Sequence, residues 1–457
     1  MPSINTLSNP EESRQAGKDL RKTVSRKSHG DWQPLKDRTD PLTLIHDQEA
    51  TRLKDLLPIR HERMSISAFT FYRGAALLMA SDLATTQSTG ITCQICGDAH
   101  IANFGGFGSP ERHLIYDIND FDETLAGPWE WDVKRFATSI EICGRDRGFS
   151  ASKRTAIVEE AVKKYRETML EFAQMNTIDV WYAHLDVINV LATWNVQLKK
   201  REGKQLGKTL SKAFGKTSER AVEKLTTVEN GQRHIVSQPP LIVPLAELYP
   251  TAKADKIEEG VRNLLKSYKK SLPADRRCLI DGYHLSDIGR KVVGVGSVGT
   301  RAWIAVFTGR DVNDPLVLQI KEADPSVLEA YQHTSPYANH GQRVVEGQRL
   351  MQASSDILLG WVRGNNISNE TNDFYVRQLW DWKTSTNLDT ITERELRAMA
   401  SMSAWTLARA HARSGNRFAI AGYLGKSSSF DEALGKFART YADLNEQDYQ
   451  RFVDSLK

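Results

Sequence analysis

The sequence has few cysteines, no long apolar run and almost no net charge. Four cysteines among 457 residues are too few to hold a chain of this length together by disulfides. No stretch of about 18 apolar residues is present, which excludes a membrane-spanning helix, and the opening residues contain no apolar core of the length that signal peptides have. We therefore expect a cytoplasmic protein with no membrane partner.

The small net charge also limits the partners. Lys and Arg together number 61, and Asp and Glu number 57, which gives a net charge of +4. Proteins that coat nucleic acid carry a much larger positive charge, so nucleic acid is not an expected partner. The hydrophobic content of 40% is enough for ordinary cores. The length allows two or three domains, or one enzyme with two lobes.

The most informative segments are acidic and read CGDAHIANFG at 96–105 and IYDINDFD at 115–122. Phosphoryl transfer from ATP needs a carboxylate that orients the attacking hydroxyl, together with an amide oxygen and a second carboxylate that hold Mg²⁺. Asp98, Asn103 and Asp120 supply these groups in this order. The alternatives are a structural Gly-Asp turn and a solvent-exposed acidic turn.

Four neighbouring residues extend this candidate site. Asp122 and Asp117 are candidate second ligands of the metal. In an extended chain, Asp122 lies on the same face as the principal carboxylate ligand and Asp117 on the opposite face. His100 is interpreted as a residue that positions the loop, and Asp132, in the predicted helix that follows, is expected to accept hydrogen bonds from the backbone of the loop.

A glycine-rich loop lies far downstream, where Gly294, Gly296 and Gly299 form the pattern G-x-G-x-x-G. A dinucleotide site would need a helix to begin at the third glycine, whereas the following RAWIAVF alternates as a strand does. We therefore interpret the loop, together with Ser297 and Arg301, as one that covers a nucleotide and brings backbone N–H groups close to phosphates.

Lys321 ends the next predicted strand, LVLQIKEA. A lysine at this place reaches the α- and β-phosphates as a point charge, provided that an acid holds it. Glu346, on a helix predicted over 341–354, is the candidate partner, and Glu329 and Glu322 are the fallbacks. The alternative for Lys321 is a solvated lysine on an edge strand.

Periodicity predicts further elements along the chain. Strands are predicted over 291–296, 302–307, 317–320 and 374–379, and helices over 393–412 and 430–456. Within a predicted helical stretch, cations recur every four residues at Lys204, Lys208, Lys212, Lys216, Arg220 and Lys224. A solvated helical face is one interpretation of this stripe, and a phosphate-binding surface is the other.

Several motifs together resemble a known family. They are GDAHIANFG, DINDFDET, PWEWDVKR, GVGSVGTR, QIKEA, GQRVVEGQRLMQ, FYVRQLWDWK and LARAHARSG. They are similar to the bacterial domain of unknown function 2252 family, which is grouped by similarity with the protein-kinase-like fold, and the first of them resembles the G-D-x-H-x-x-N loop of aminoglycoside and choline kinases. The resemblance implies a catalytic role for Asp98, Mg²⁺ ligation by Asn103 and Asp120, and a supporting role for Asp132.

The chain departs from the kinase pattern in two residues and in its order. Cys96 stands where small-molecule kinases usually have histidine, and Arg301 stands where valine is expected. In kinases the glycine loop, lysine, helix and hinge come before the catalytic loop and the metal aspartate, whereas here the last two come first. Circular permutation accounts for this order, because it preserves contacts when the old termini are bridged.

The fold class expected from the resemblance is α+β, a two-lobed, circularly permuted protein-kinase-like fold with a helical insertion. The expected divisions are a polar arm (1–59), the first part of the helical lobe (60–175), an insertion (176–280), a β-rich lobe (281–379), and a hinge with the remaining helices (380–457). At the hinge, backbone groups of Leu379, Trp380 and Asp381 are expected to contact adenine, with Trp380 or Trp382 as a wall of the pocket.

These residues together predict an ATP- and Mg²⁺-dependent phosphotransferase that acts on the hydroxyl of a small molecule. The sequence does not name the acceptor, since no motif marks the surfaces that would bind it. Two alternatives stay open. The first keeps the nucleotide but transfers AMP or modifies proteins, and the second is a non-catalytic nucleotide sensor or scaffold that uses the basic stripe.

Overall fold

A computed structural model describes residues 9–187, 218–249, 251–292, 294–365, 371–379 and 386–457. The chain is a mixture of helices and antiparallel sheets, so the predicted α+β class is confirmed. Among the helices in these ranges, none combines the length and the apolar character that a bilayer span requires.

Helices dominate both ends of the chain. The N-terminal helices are α1 (Pro10–Asp19), α2 (Pro41–Glu49), α3 (Leu57–Met64), α4 (Ala68–Gly74), α5 (Ala76–Leu83), α6 (Trp129–Asp146), α7 (Ala151–Phe172) and α8 (Thr177–Tyr182). The later helices are α9 (Ser218–Leu225), α10 (Leu245–Leu248), α11 (Thr251–Tyr268), α12 (Ala274–Asp281), α13 (His340–Met351), α14 (Glu393–Ser414), α15 (Arg417–Leu424) and α16 (Ser429–Ser455).

The largest core joins α6 and α7 to the C-terminal helices α14, α15 and α16. Trp129, at the start of α6, is fully buried and stacks on Tyr165 of α7 with 5.8 Å between the ring centroids. Phe430 of α16 packs on the same indole ring at 5.3 Å. Large aromatic rings that bury this much apolar area hold distant parts of the chain together.

A six-stranded antiparallel sheet forms the β-rich part of the molecule. Its strands are β8 (Ile242–Pro244), β9 (His284–Lys291), β10 (Ala302–Thr308), β11 (Pro315–Glu322), β12 (Gly360–Asn365) and β13 (Thr371–Gln378). Their order across the sheet is β12-β13-β11-β10-β9-β8, and α13 lies between β11 and β12 in the chain. Lys321 lies near the end of β11, which is flanked by β10 and β13, so it is not on an edge strand.

Both faces of this sheet are covered. Side chains of a strand alternate between its faces, and in β10 Ala305 belongs to a core with Tyr268 of α11, while Ile304 belongs to a core with Val222 of α9. The described part of 176–280 is therefore built into the sheet through β8, α9 and α11. The basic residues Lys204, Lys208, Lys212 and Lys216 lie outside the described residues.

Smaller sheets position the two acidic loops. Their strands are β1 (Thr92–Ile95), β2 (Phe104–Gly108), β3 (Leu114–Ile118), β4 (Leu125–Pro128) and β5 (Leu185–Asp186), with a separate hairpin of β6 (Thr226–Glu229) and β7 (Gln232–Ile235). β1 pairs with β4, and β3 lies between β2 and β5. The loop with Asp98 follows β1, and the loop with Asp120 follows β3.

The segment before residue 60, predicted as a polar arm, packs on the C-terminal helices from residue 9 onward. A Cβ atom on Gly17 of α1 would lie 2.0 Å from the carbonyl oxygen of Ala419, so α1 and α15 touch through their backbones. Trp32 is buried and packs on Phe437 with 5.6 Å between the ring centroids. The few apolar residues of this polar segment are buried and hold the segment against the C-terminal helices.

Candidate functional site

Lys321 and the acidic loop after β3 meet across the boundary between the sheet and the helices. The ammonium group of Lys321 forms an ion pair with Asp122, and its Nζ lies 3.9 Å from Oδ2 of Asp120. The hydroxyl of Ser297, in the glycine-rich loop, donates to Oδ2 of Asp122 at 2.9 Å. Three segments that are far apart in the sequence therefore converge at one carboxylate.

The pair of Lys321 and Asp122 is buried and has a third partner. Lys321 is 2% exposed, and the hydroxyl of Tyr375 on β13 donates to Oδ1 of Asp122 at 2.8 Å. Burial acts to raise the pKa of Asp122, but the charge of Lys321 and the hydrogen bonds from Lys321, Tyr375 and Ser297 together outweigh burial and hold that pKa below its usual value. Burial acts to lower the pKa of Lys321, and Asp120 and Asp122 together raise it. Both groups are therefore charged at neutral pH.

Asp98 lines a small cavity and is held by an arginine. Arg135 of α6 donates from Nε to Oδ1 of Asp98 at 2.6 Å, and His100 Nε2 lies 3.7 Å from Oδ2. Burial raises the pKa of Asp98, and Arg135 opposes this shift. The pKa of His100 is far below its ordinary value because the ring is buried near arginines, so His100 is neutral. Arg135 thus holds one oxygen of Asp98, Oδ1, and Asp98 lines the small cavity.

The backbone before Asp98 is fixed by Asp132 and by a glycine. Asp132 of α6 accepts hydrogen bonds from the N–H of Cys96 at 2.8 Å and of Gly97 at 3.0 Å. Gly97 has φ of +77°, and a Cβ atom there would lie 2.4 Å from the carbonyl oxygen of Glu123. Only glycine fits this position, and the close approach joins the two acidic loops.

Asn103 and Asp120 carry an amide and a carboxylate oxygen, which are the kinds of donor that a hard cation binds. Asn103 donates from Nδ2 to the carbonyl oxygens of Asp98 at 3.1 Å and of Asp120 at 3.0 Å, which leaves its amide oxygen for another partner. The side chain of Asp120 is 45% exposed. Across the described ranges, no three His, Cys, Asp or Glu side chains form a complete metal site. Mg²⁺ commonly uses one or two carboxylates together with phosphate oxygens and waters, so this donor set fits Mg²⁺ that is bound with a nucleotide.

The glycine-rich loop joins β9 to β10 and is held from outside by two arginines. Arg52 donates to the carbonyl oxygens of Gly296, at 2.8 Å, and of Val298, and Arg60 donates to that of Gly296 at 3.2 Å. Gly299 has φ of +96°, a conformation that glycine adopts without strain. Arg301 forms an ion pair with Glu322, with 2.9 Å between Nη1 and Oε1. Strand β9 ends at Lys291, so the strand predicted over 291–296 is wrong beyond its first residue.

Two cavities meet at this loop. The larger has a volume of about 520 Å³ and lies between the sheet, the glycine loop and the hairpin of β2 and β3; the smaller has about 70 Å³ and contains Asp98 and His100. Both are lined by Asp120, Gly294 and Ser297. Asn103, Lys321 and Leu379 line the larger cavity, and Gly296 and Asp122 the smaller one.

The structure does not bring Glu346 to Lys321. Glu346 pairs with Arg349 at 3.2 Å, whereas Gln348, two residues further along α13, lines the larger cavity. Two residues are about 200° apart around a helix, so Glu346 is turned away from the cavity. Asp122 is the acid that holds Lys321. The fallbacks are also held elsewhere, Glu322 by Arg301, and Glu329 by the backbone N–H groups of Ser326 at 3.1 Å and Ser335 at 3.1 Å.

Asp117 lies away from the other predicted metal ligands. It is 1% exposed, forms an ion pair with Arg409 of α14 and accepts a hydrogen bond from the N–H of Ala353 at 2.9 Å. At the end of β13, where a hinge is predicted, the N–H of Leu379 donates to the carbonyl oxygen of Val317 at 2.9 Å. Trp380, Asp381 and Trp382 lie outside the described residues.

Sequence reasoning missed several polar residues that line the larger cavity. Arg73 comes from α4, Gln319 precedes Lys321 by two positions on β11, and Arg377 comes from β13. Arg377 donates from Nε to Gln319 Oε1 at 3.2 Å. No motif marks these positions. The alternation of β11 does place Gln319 on the same face as Lys321, and this signal could have identified it.

The chain matches over residues 52–455 the DUF2252 family, described as "Uncharacterized protein conserved in bacteria". Neither the curated proteins nor the solved structures contain a match. The matched segment covers most of the chain and both halves of the site. The chain therefore belongs to this family.

Proposed function

We propose that this member of the DUF2252 family is an ATP- and Mg²⁺-dependent phosphotransferase of the protein-kinase-like kind, which acts on the hydroxyl of a small molecule. The observation that carries the proposal is the meeting of Lys321 with Asp120 and Asp122 beneath the glycine-rich loop. A fixed cation, a Mg²⁺-binding carboxylate and a loop of glycines around one cavity are the parts that phosphoryl transfer uses.

The order of elements in the sheet supports a permuted kinase-like fold. From β9 onward the order along the chain is a strand, the glycine-rich loop, a strand, the strand with Lys321, helix α13 and two further strands. All of these strands belong to one antiparallel sheet. This is the order that kinases have from the glycine loop to the hinge. The loop with Asp120 precedes this sheet in the chain and contacts it through Lys321, and the loop with Asp98 packs on that loop through Gly97, as circular permutation requires.

Each polar group then has a role at the phosphates. Lys321 has three N–H donors, of which Asp122 takes one, so the others are available to the α- and β-phosphates. Asp120 and the amide oxygen of Asn103 would hold Mg²⁺. When bound, Mg²⁺ supplies positive charge that neutralises phosphate oxygens. The glycine-rich loop, of which Gly294 and Ser297 line the larger cavity, would cover the phosphates.

Asp98 is the residue that would orient the acceptor. Its Oδ1 is held by Arg135, which leaves Oδ2 to accept the proton of a hydroxyl in the small cavity. Asp132 keeps the loop in place through the N–H groups of Cys96 and Gly97. Asp98 has no direct contact with Lys321 in this arrangement, so removing its charge should spare nucleotide binding.

The test is equilibrium binding of ATP with and without Mg²⁺, followed by transfer of label from γ-labelled ATP to a panel of hydroxyl compounds. Asp120→Ala should lose Mg²⁺-dependent binding and lower transfer by about 100-fold or more, and Asp98→Asn should lose transfer while binding ATP as the wild type does. Glu111→Ala, an exposed carboxylate on the neighbouring hairpin, is the control. Absence of ATP binding by the wild type would refute the proposal, and product labelled from α-labelled ATP would show adenylyl transfer instead.

A further inference from the structure

Arg73 occupies the junction of the two cavities. It lies in the last turn of α4 and lines both the larger cavity and the small cavity that contains Asp98. Its backbone contacts the glycine-rich loop, because a Cβ atom on Gly296 would lie 3.4 Å from the carbonyl oxygen of Arg73. The side chain therefore lies between the proposed nucleotide site and the proposed acceptor site.

The guanidinium of Arg73 has no hydrogen bond or ion pair with any residue that the structure describes. Its Nε is buried and has no partner. The arginines around it are engaged: Arg135 holds Asp98 at 2.6 Å, and Arg60 donates to the carbonyl oxygen of Gly74 at 3.1 Å. Burial lowers the pKa of Arg73, and the charges of Asp98 and Asp120 act in the opposite direction. A half-buried guanidinium without a partner is a site for an anion.

The segment that carries Arg73 is held in place by its neighbours. Helix α4 begins with a capping box in which Ser67 and Thr70 bond each other's backbone N–H groups. A Cβ atom on Gly74 would lie 2.9 Å from the sulfur of Met64, so the end of the helix is closely packed. Preorganised cations stabilise developing charge because they need no rearrangement during the reaction.

We propose that Arg73 binds the terminal phosphate of ATP and stabilises the negative charge that develops on it during transfer, as an arginine finger supplied by the chain itself. This inference rests on the proposed phosphotransferase function. A planar guanidinium binds two phosphate oxygens at once, which a lysine cannot do. Residues in this role commonly raise the transfer rate by several orders of magnitude.

In the step that Arg73 assists, a lone pair of the acceptor hydroxyl oxygen forms the new bond to the γ-phosphorus. The bond between the γ-phosphorus and the β,γ-bridging oxygen breaks, and its electron pair stays on that oxygen of ADP. The hydroxyl proton passes to Oδ2 of Asp98. Arg73, beside Asp98 in the small cavity, is placed to contact oxygens of the transferred group throughout.

The inference predicts different effects on ATP and ADP. Isothermal titration calorimetry with Mg²⁺ and a non-hydrolysable ATP analogue should show an affinity about 10- to 100-fold lower for Arg73→Ala than for the wild type, with ADP affinity changed by less than about twofold. Arg73→Lys should keep most of the affinity for the ATP analogue but lower the transfer of γ-label by at least about 10-fold. Arg63→Gln removes a neighbouring charge that acts on Arg73 but lines neither cavity, and it is the control.

The outcomes separate this inference from the proposed function. Equal losses of ATP and ADP affinity in Arg73→Ala, or unchanged ATP affinity, would overturn the role of Arg73. The proposed phosphotransferase function would still stand if the wild type transfers γ-label. A wild type that binds no ATP would overturn both. If Arg73→Ala does not fold, as judged by circular dichroism, Arg73→Lys decides, because unchanged transfer in that variant also overturns the inference.

Discussion

The ion pair between Lys321 and Asp122 should contribute measurably to the stability of the fold. Lys321 is 3% and Asp122 26% exposed at the side chain. Removing one partner of a buried pair leaves an uncompensated charge and costs about 3–5 kcal/mol. Asp122 keeps hydrogen bonds from Tyr375 and Ser297 and some contact with water, so we expect Lys321→Met to lower the free energy of unfolding by about 3 kcal/mol.

The companion variant tests the cause. Lys321→Met/Asp122→Asn leaves no buried charge unpaired, because the remaining carboxylate of Asp120 is 45% exposed, so most of the lost stability should return, to within about 1 kcal/mol of the wild type. Urea unfolding followed by circular dichroism measures each variant, and Lys22→Met, which breaks an exposed pair with Asp19, should not change the midpoint. A double variant that loses as much as the sum of the two single variants would refute the coupling.

Two further predictions concern the neighbouring acidic loop. Burial raises the pKa of Glu123 from 4.5 to about 7, so the fold favours the protonated carboxyl group. The stabilisation that this group gives is fully present below pH 4.5 and is lost as the pH rises through 7. The wild type should therefore lose about 2–3 kcal/mol relative to Glu123→Gln between these values, and parallel pH profiles of unfolding would contradict this. Gly97→Ala should lower the thermal unfolding temperature and stop label transfer, because its Cβ would meet Glu123 and its φ is positive. Gly90→Ala, with a positive φ but open space, should lose only about 1–2 kcal/mol, and equal effects of the two changes would show that the close approach is unimportant.

The sequence predicted the halves of the site better than their contacts. Asp98, Asn103, Asp120 and Lys321 were chosen because of the chemistry of their groups and their spacing, and the structure brings all four to the two adjoining cavities. The spacing of residues along the sequence shows which of them share a loop or a strand. It does not say which side chain on a distant segment will face them.

The misplaced residues illustrate this limit. The sequence predicts Glu346 as the partner of Lys321, but the face that α13 turns to the cavity depends on how the helix packs, and Asp122 is the acid that pairs with Lys321. Asp117 was chosen for its carboxylate, but Arg409, from a helix much later in the chain, pairs with it in the core. Arg73 carries no motif, and only the fold shows that it lines both cavities.

The fold itself was predictable where periodicity was strong. The helices predicted over 393–412 and 430–456 are α14 and α16 with small changes at their ends. Strand β9 was missed over most of its length, because HLSDIGRK has few apolar residues and forms a strand through its pairing with β10. Tertiary pairing, which a local pattern does not contain, decided this element.

The most direct test of the account is a crystal structure of the chain with Mg²⁺ and a non-hydrolysable ATP analogue. We expect the phosphates to lie in the larger cavity, with a phosphate oxygen about 3 Å from Nζ of Lys321 and the metal on Asp120 and Asn103. A nucleotide bound outside this cavity, or one whose phosphates lie far from both Lys321 and Asp120, would contradict it.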